Sequence, residues 1–247
     1  MPRLIRNASL LLLGGYSAYI YAESRRLTKA YPSRPATGAY YTPALLKTYV
    51  PTRHYPSSCT DIFVARVPRR ALVSAAHSLG LNDLTSLNAT WARTFLEAPV
   101  ITFEAKMLGV SKDSGDTGAS GFHKDQALLN GAFLVEQPPS RTDPLVVSWR
   151  MPESPVRFFE KLAAIGYPWR LMSGGRHSIG VVEVPDSEEV EVIFGCAHEY
   201  ERFNRVNGKE DEKVIPAWVG WCHRLYGRRV LDDAVRQLLH DHDGGGR

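Results

Sequence analysis

The sequence predicts an α+β domain in which a curved antiparallel sheet wraps a long C-terminal helix. Three observations carry this. Strand-like runs recur between residues 132 and 197. Two helical segments, at 90–96 and 99–108, separate them from an earlier strand-like run at 61–67. The chain closes on an apolar stripe of period near 3.6 that starts after Pro216. With 247 residues, 44% of them hydrophobic, a sizeable core is within reach.

Four segments follow in order. Residues 1–29 are an N-terminal hydrophobic segment, expected as a helix. Arg3 and Arg6 precede an uncharged run from Asn7 to Ala22, and Arg25, Arg26 and Lys29 follow it. That run falls short of the ~20 residues that span a bilayer. It fits a helix packed on the domain or lying on a membrane through residues 8–22; an anchor and a cleaved signal are the other readings. Residues 30–59 are rich in Pro, Tyr, Ser and Thr and read as a linker or extended arm. Residues 60–240 form the α+β domain, and 241–247 a polar tail that should fray.

Within the domain, 61–67 is a first strand. Trp91, Phe95 and Leu96 have helical spacing, and Pro99 suits the first turn of a second helix. The polar, glycine-bearing stretch 111–120 lacks phosphate-loop spacing and reads as a surface loop. Strands are expected at 132–136, 145–150, 176–184 and 189–197. Residues 155–164 between the second and third have helical or edge character. Pro185-Asp186-Ser187-Glu188 supplies the turn between the last two. In the final helix the stripe runs through Trp218, Cys222, Leu225, Val230, Ala234, Val235, Leu238 and Leu239.

Charge and cysteine usage narrow the function classes. Net charge is +4, the pI about 9.0, and basic residues are scattered or paired, which argues against nucleic-acid binding. Cys59, Cys196 and Cys222 are far apart and form neither a zinc motif nor a disulfide framework. No spacing suggests a metal or an organic cofactor, and no Gly-x-Ser-x-Gly elbow occurs. The compartment expected is cytoplasmic or membrane-associated. Asn7 and Asn88 head glycosylation sequons that matter only on a secretory route.

Residues 167–180 stand out: Tyr-Pro-Trp-Arg-Leu-Met-Ser-Gly-Gly-Arg-His-Ser-Ile-Gly. Glycines in a strand mark a bend or a close approach. A turn at 185–188 sets His177 opposite Cys196, Ile179 opposite Phe194 and Val181 opposite Val192. His177 and His198 then share a face. Arg176 and His177 are strand neighbours and point apart unless Gly174-Gly175 form a bulge, so His177 is the stronger candidate. Arg150, on the face of its strand opposite to Trp149, is expected in the same cavity as His177 and His198. Trp149, Tyr167, Trp169 and Phe194 are candidate walls, and His123 a candidate at the rim. Glu104, in an apolar helical context, is a further candidate base. Each has a plainer reading: a backbone-bonded histidine, a solvated or salt-bridged arginine, an exposed helical glutamate, a loop histidine. A histidine can take a proton from an enol or hydroxyl, and an arginine can hold the resulting oxyanion.

The element order resembles the START-like, or helix-grip, fold of polyketide cyclases and lipid-transfer domains over residues 60–240. The phrases Gly-Tyr-Pro-Trp-Arg-Leu-Met-Ser-Gly-Gly-Arg-His and Leu129-Asn130-Gly131 also resemble a group of mostly uncharacterised proteins of filamentous fungi, some in secondary-metabolite pathways. The resemblance implies a cavity between sheet and last helix but hands over no catalytic residue. It implies a cofactor-free cyclase closing a ring on a polyketide-like intermediate, by an aldol or a lactone- or pyrone-forming step. A membrane-associated carrier of a lipid or other hydrophobic ligand is the alternative, and a ligand-free scaffold the third reading.

Overall fold

A computed structural model describes residues 2–48, 50–80, 87–109, 112–202 and 212–244. The order is α1 (Pro2–Ala30), β1 (Ser33–Arg34), α2 (Pro43–Leu46), β2 (Arg53–His54), β3 (Thr60–Pro68), α3 (Arg69–Ser78), α4 (Leu87–Leu96) and α5 (Pro99–Gly109). Then come β4 (Ala127–Leu128), β5 (Phe133–Gln137), β6 (Leu145–Arg150), α6 (Glu153–Ala164), β7 (Gly174–Glu183), β8 (Glu189–Glu201) and α7 (Ala217–Gly244). The strands form one open antiparallel sheet in the order β1-β3-β8-β7-β6-β5-β4, and β2 pairs with the far end of β8. Helix α7 packs on this sheet, so the molecule is α+β, with an open antiparallel sheet and a C-terminal helix against it.

The two faces of the sheet are both covered, which explains why β3 and β8 are apolar on alternate residues of either parity. Phe63, Ala65, Val67, Val192, Phe194 and Ile179 meet α3, α4, α5 and α7 in the main core. Ile62, Val64, Ile193 and Ala197 meet Leu45 and Tyr55 of the preceding arm. Ala36, Tyr40, Leu45, Leu46 and Tyr55 of this arm therefore cover the second face. Tyr31 and Leu45 are buried, and Arg53 binds Glu199 and Glu201 at 2.9 and 2.8 Å.

The β7–β8 register is the expected one: His177 opposes Cys196, Ile179 opposes Phe194 and Val181 opposes Val192. Asp186 supplies the positive φ, 55°, that the turn requires. Asn88 is buried and spent on structure. Its Oδ1 accepts from the Val181 amide at 2.7 Å, where β7 has run past β6, and its Nδ2 donates to the Ser140 carbonyl at 3.0 Å. A glycan has no room there.

Two expectations need correction. Helix α3 follows β3 without a loop and was not anticipated; Ala71, Leu72 and Ala76 bury its inner face. The stripe of α7 also divides. Val230, Ala234, Val235 and Leu238 are buried, but Trp218 is 67% exposed and Cys222 is exposed. At 100° per residue, Trp218 and Cys222 lie on the side of the helix opposite Ala234 and Leu238. Residues 241–244, expected to fray, continue α7; 245–247 lie outside the described residues.

A buried carboxylate ties α1 to α7. Asp232 accepts from Arg26 at 2.8 and 3.1 Å and from the Tyr31 hydroxyl at 2.7 Å, and Arg229 and Arg236 approach at 3.2 and 3.1 Å. These cations hold its carboxyl below the usual range despite burial. Removing one member leaves buried partners unsatisfied. Asp232→Ala is expected to lower unfolding free energy by about 2–3 kcal/mol, toward the low end for a buried pair because Arg26 is partly solvated. Urea unfolding measures the loss, and protease cutting near residue 31 reports the release of α1. Among the described residues, no helix is long and apolar enough to cross a membrane.

Candidate functional site

One end of the helix-facing side of the sheet is polar, and this polarity is built strand by strand. In β3 the inward positions run Asp61, Phe63, Ala65, Val67, so a carboxylate opens an otherwise apolar series. Asp61 opposes Cys196, and Cys196 opposes His177. The next rank holds His198, Gly175 and Trp149 across β8, β7 and β6. Above them the first turns of α7 bring in His223 and Arg224.

These groups border a cleft of about 540 Å³. Its polar wall is Asp61, His198, Glu212, Lys213, His223 and Arg224, with Ser58 and the buried Cys59 thiol beside them. Its apolar wall is Pro168, Trp169, Val214 and Ile215. Arg170, fully buried, holds that wall. It donates to the Glu201 carbonyl at 2.9 Å and to Glu160 at 3.1 Å, while its amide donates to the Val214 carbonyl at 3.2 Å.

His198 and His223 face each other at 2.8 Å between their Nε2 atoms. One Nε2 must carry the hydrogen and the other accept it, so the accepting ring is neutral with its own hydrogen on Nδ1. Burial, and then the charge of His223, push His198 down to about 3. Burial and Arg224 lower His223 as well. Asp61 moves the other way: burial raises it against the pull of Arg224 and Arg228. Among the described residues neither Asp61 nor Arg224 has a side-chain hydrogen bond or ion pair. The cleft thus holds a histidine pair that burial shifts toward the neutral form, a carboxyl that burial raises, and a guanidinium with no carboxylate partner among the described residues. Environments that push titratable groups apart in this way are those that support acid–base chemistry.

The sequence candidates distribute as follows. His198 and Trp169 line the cleft. His177 lies one rank deeper, its ring against Phe133 at 5.3 Å, Phe194 at 5.1 Å and Trp149 at 6.1 Å. Its Nε2 is buried without a partner among the described residues, and burial lowers it to about 3. Trp149 lies between His177 and His198, flat over Gly175. Phe194 is core, stacked on Phe95 at 4.7 Å. Tyr167 packs edge-on against Trp169 behind the apolar wall.

The others lie elsewhere. Arg176 points to the opposite face, where its Nη1 donates to the carbonyls of Ala44, at 2.8 Å, and Lys47, fastening α2 to the sheet. Arg150 is exposed and has the parity of Arg176, not of His177, because Val147 opposes His177; its expected place in the shared cavity is corrected. Glu104 is exposed on α5, and burial, then this neighbouring carboxylate, raises the Tyr226 hydroxyl. His123 is exposed in a loop.

Asp61, His223 and Arg224 were not singled out from the sequence. Asp61 had a legible signal, a charge at an inward strand position. His223 and Arg224 sit on the inner side of α7 with Gly220 and Gly227, one turn before its apolar series begins.

The Gly-Gly pair is explained by close approach. A Cβ on Gly175 would lie 2.5 Å from the Ala197 carbonyl and 2.8 Å from the Trp149 ring, and one on Gly174 would lie 2.5 Å from the Trp149 carbonyl. Gly175→Ala is expected to cost about 1–3 kcal/mol of stability and to displace the Trp149 indole. Thermal unfolding and the indole fluorescence maximum check the two effects. No protein-family model matches this chain, and no curated protein or solved structure is significantly similar to it.

Proposed function

We propose that the cleft carries cofactor-free proton transfer on a hydrophobic poly-keto substrate and closes a ring on it. The observation that supports this reading is the convergence of the His198–His223 pair, Asp61 and Arg224 against an apolar wall. An activated methylene between two carbonyls needs a base, a cation for the enolate and a fixed chain conformation. In this reading the imidazole that donates its Nε2–H keeps a free Nδ1 lone pair and takes the methylene proton there, and Arg224 holds the enolate oxygen. The enolate carbon then attacks a distant carbonyl in an aldol closure, with Asp61 protonating the new alkoxide. In the lactone- or pyrone-forming variant, an enolate oxygen attacks a thioester carbonyl. The thiolate leaves with the proton the imidazole had taken. Trp169, Val214 and Ile215 fold the apolar chain.

The START-like plan belongs to this proposal: a sheet packed by its last helix, with the ligand between them. So does the membrane-associated carrier, which the apolar wall also suits. The two readings separate in one experiment. The full chain is incubated with an N-acetylcysteamine triketide thioester, pyrone absorbance is followed, and the purified protein is weighed by native mass spectrometry. The enzyme reading expects thiol release and pyrone above the spontaneous rate. A retained, unconverted ligand with no rate enhancement favours the carrier. Neither binding nor turnover rejects both.

A further inference from the structure

Two imidazole nitrogens aimed at one another are also a pair of metal-ligand positions. His198 comes from β8 and His223 from the second turn of α7, 25 residues later, so the fold and not a local motif brings them together. Their Nε2 atoms are 2.8 Å apart, their ring centres 4.3 Å apart, and their planes meet at 63°. Two imidazoles joined end to end by a straight N–H···N bond of this length would set their centres about 5 Å apart. The rings therefore meet obliquely. Bending weakens a hydrogen bond, whereas two ligands of one cation must converge on it from different directions.

The separation selects the cation. Two nitrogens about 2.0 Å from a metal and at a right angle to each other lie about 2.8 Å apart, as neighbouring positions of a square-planar or octahedral ion do. A tetrahedral ion such as zinc asks for about 3.3 Å. Among the described residues, no group of three His, Cys, Asp or Glu side chains is arranged for a metal, which leaves the other positions to water from the cleft. Two imidazoles with open positions suit nickel or copper, whereas structural zinc takes four protein ligands. Asp61 and Glu212 of the cleft wall attract a cation and Lys213 and Arg224 repel it, so affinity rests on the pair.

We propose that His198 and His223 form a two-imidazole site for a divalent transition metal, nickel or copper. A cation there takes both Nε2 lone pairs. The hydrogen that one Nε2 carried moves through water to Nδ1 of the same ring, so both rings stay neutral and neither keeps a free lone pair. The cation therefore withdraws the base and inhibits proton transfer in the cleft. That inhibition rests on the proposed function; the binding does not.

Nickel is the probe, because it does not oxidise the thiols. The full, untagged chain carries His240→Asn and His242→Asn, which removes the histidines at the end of α7, and is titrated with Ni²⁺ by calorimetry. A single equivalent is expected. Adding His223→Asn should weaken binding roughly tenfold or more. X-ray absorption at the nickel edge should show two imidazoles on the bound ion, a result that needs no cleft variant. Fewer than two, or unchanged binding by a folded His223→Asn protein, overturns the site. Ring closure of the triketide thioester is then followed with nickel bound. Binding with inhibition supports the site and its effect. Binding without inhibition supports the site and counts against the proposed function. Absent binding overturns the site and leaves the proposed function standing.

Discussion

Lowering the pH from 7 to 5 is expected to remove about 2 kcal/mol of stability through His177 alone, and His177→Phe should abolish that part of the loss. The cause is desolvation: the ring lies among Phe133, Phe194 and Trp149, its Nε2 is sealed from water, and its pKa falls to about 3. An unfolded histidine titrates near 6.5. Above that value neither state is protonated and the contribution is fully present. Between about 6.5 and about 3 the unfolded chain binds a proton that the folded chain refuses, so stability falls as pH falls. At pH 5 the gap is roughly 1.5 pH units, hence the figure above. For a domain of this size that lowers the melting temperature by roughly 4–8 °C. His198 shifts in the same direction, and through its hydrogen bond with His223 the two titrate as a pair. Phenylalanine suits the aromatic surroundings and removes a buried nitrogen without a partner, so His177→Phe should be no less stable than wild type at pH 7. Melting curves at pH 5 and 7 for both proteins give the answer. An equal pH 5 loss in the variant would contradict a desolvated, neutral His177.

How far the site could be read in advance depends on the range over which each feature is encoded. The β7–β8 register was legible because Pro185 to Glu188, between the strands, are turn-formers and the flanking apolar residues alternate. A one-residue slip would have turned Ile179 and Phe194 out of the core. The face of Arg150 was not legible. Its strand joins β7 through α6 and a long connection, 151–173, and no hairpin relates the two registers. Alternation within β6 correctly opposes Trp149 to Arg150 but does not say which of them meets His177. The outer stripe of α7 misled for a related reason. Trp218 and Cys222 are apolar, but whether an apolar residue is buried depends on what lies against it, and there the core ends and the cleft begins. Arg176 was legible as half of a split pair, while its partners, the Ala44 and Lys47 carbonyls, lie about 130 residues away in an arm that carries no recognisable motif.

The second large effect concerns the His198–His223 pair. Asparagine at position 223 keeps a polar side chain of smaller size at the cleft wall but supplies no base. It also unlinks His198 from its partner at 2.8 Å. General-base catalysis by a positioned imidazole is worth about 10²–10⁴ in rate. Binding of the apolar chain rests on Trp169, Val214 and Ile215, which the substitution leaves in place. The loss should therefore fall on turnover and not on affinity.

The measurement that bears most directly on the account is single-turnover ring closure of the triketide thioester by wild type and His223→Asn, with binding of each followed by native mass spectrometry. The account predicts that the variant binds the thioester as wild type does and closes the ring about 10²–10⁴ times more slowly. A folded His223→Asn protein that closes the ring at the wild-type rate would contradict it.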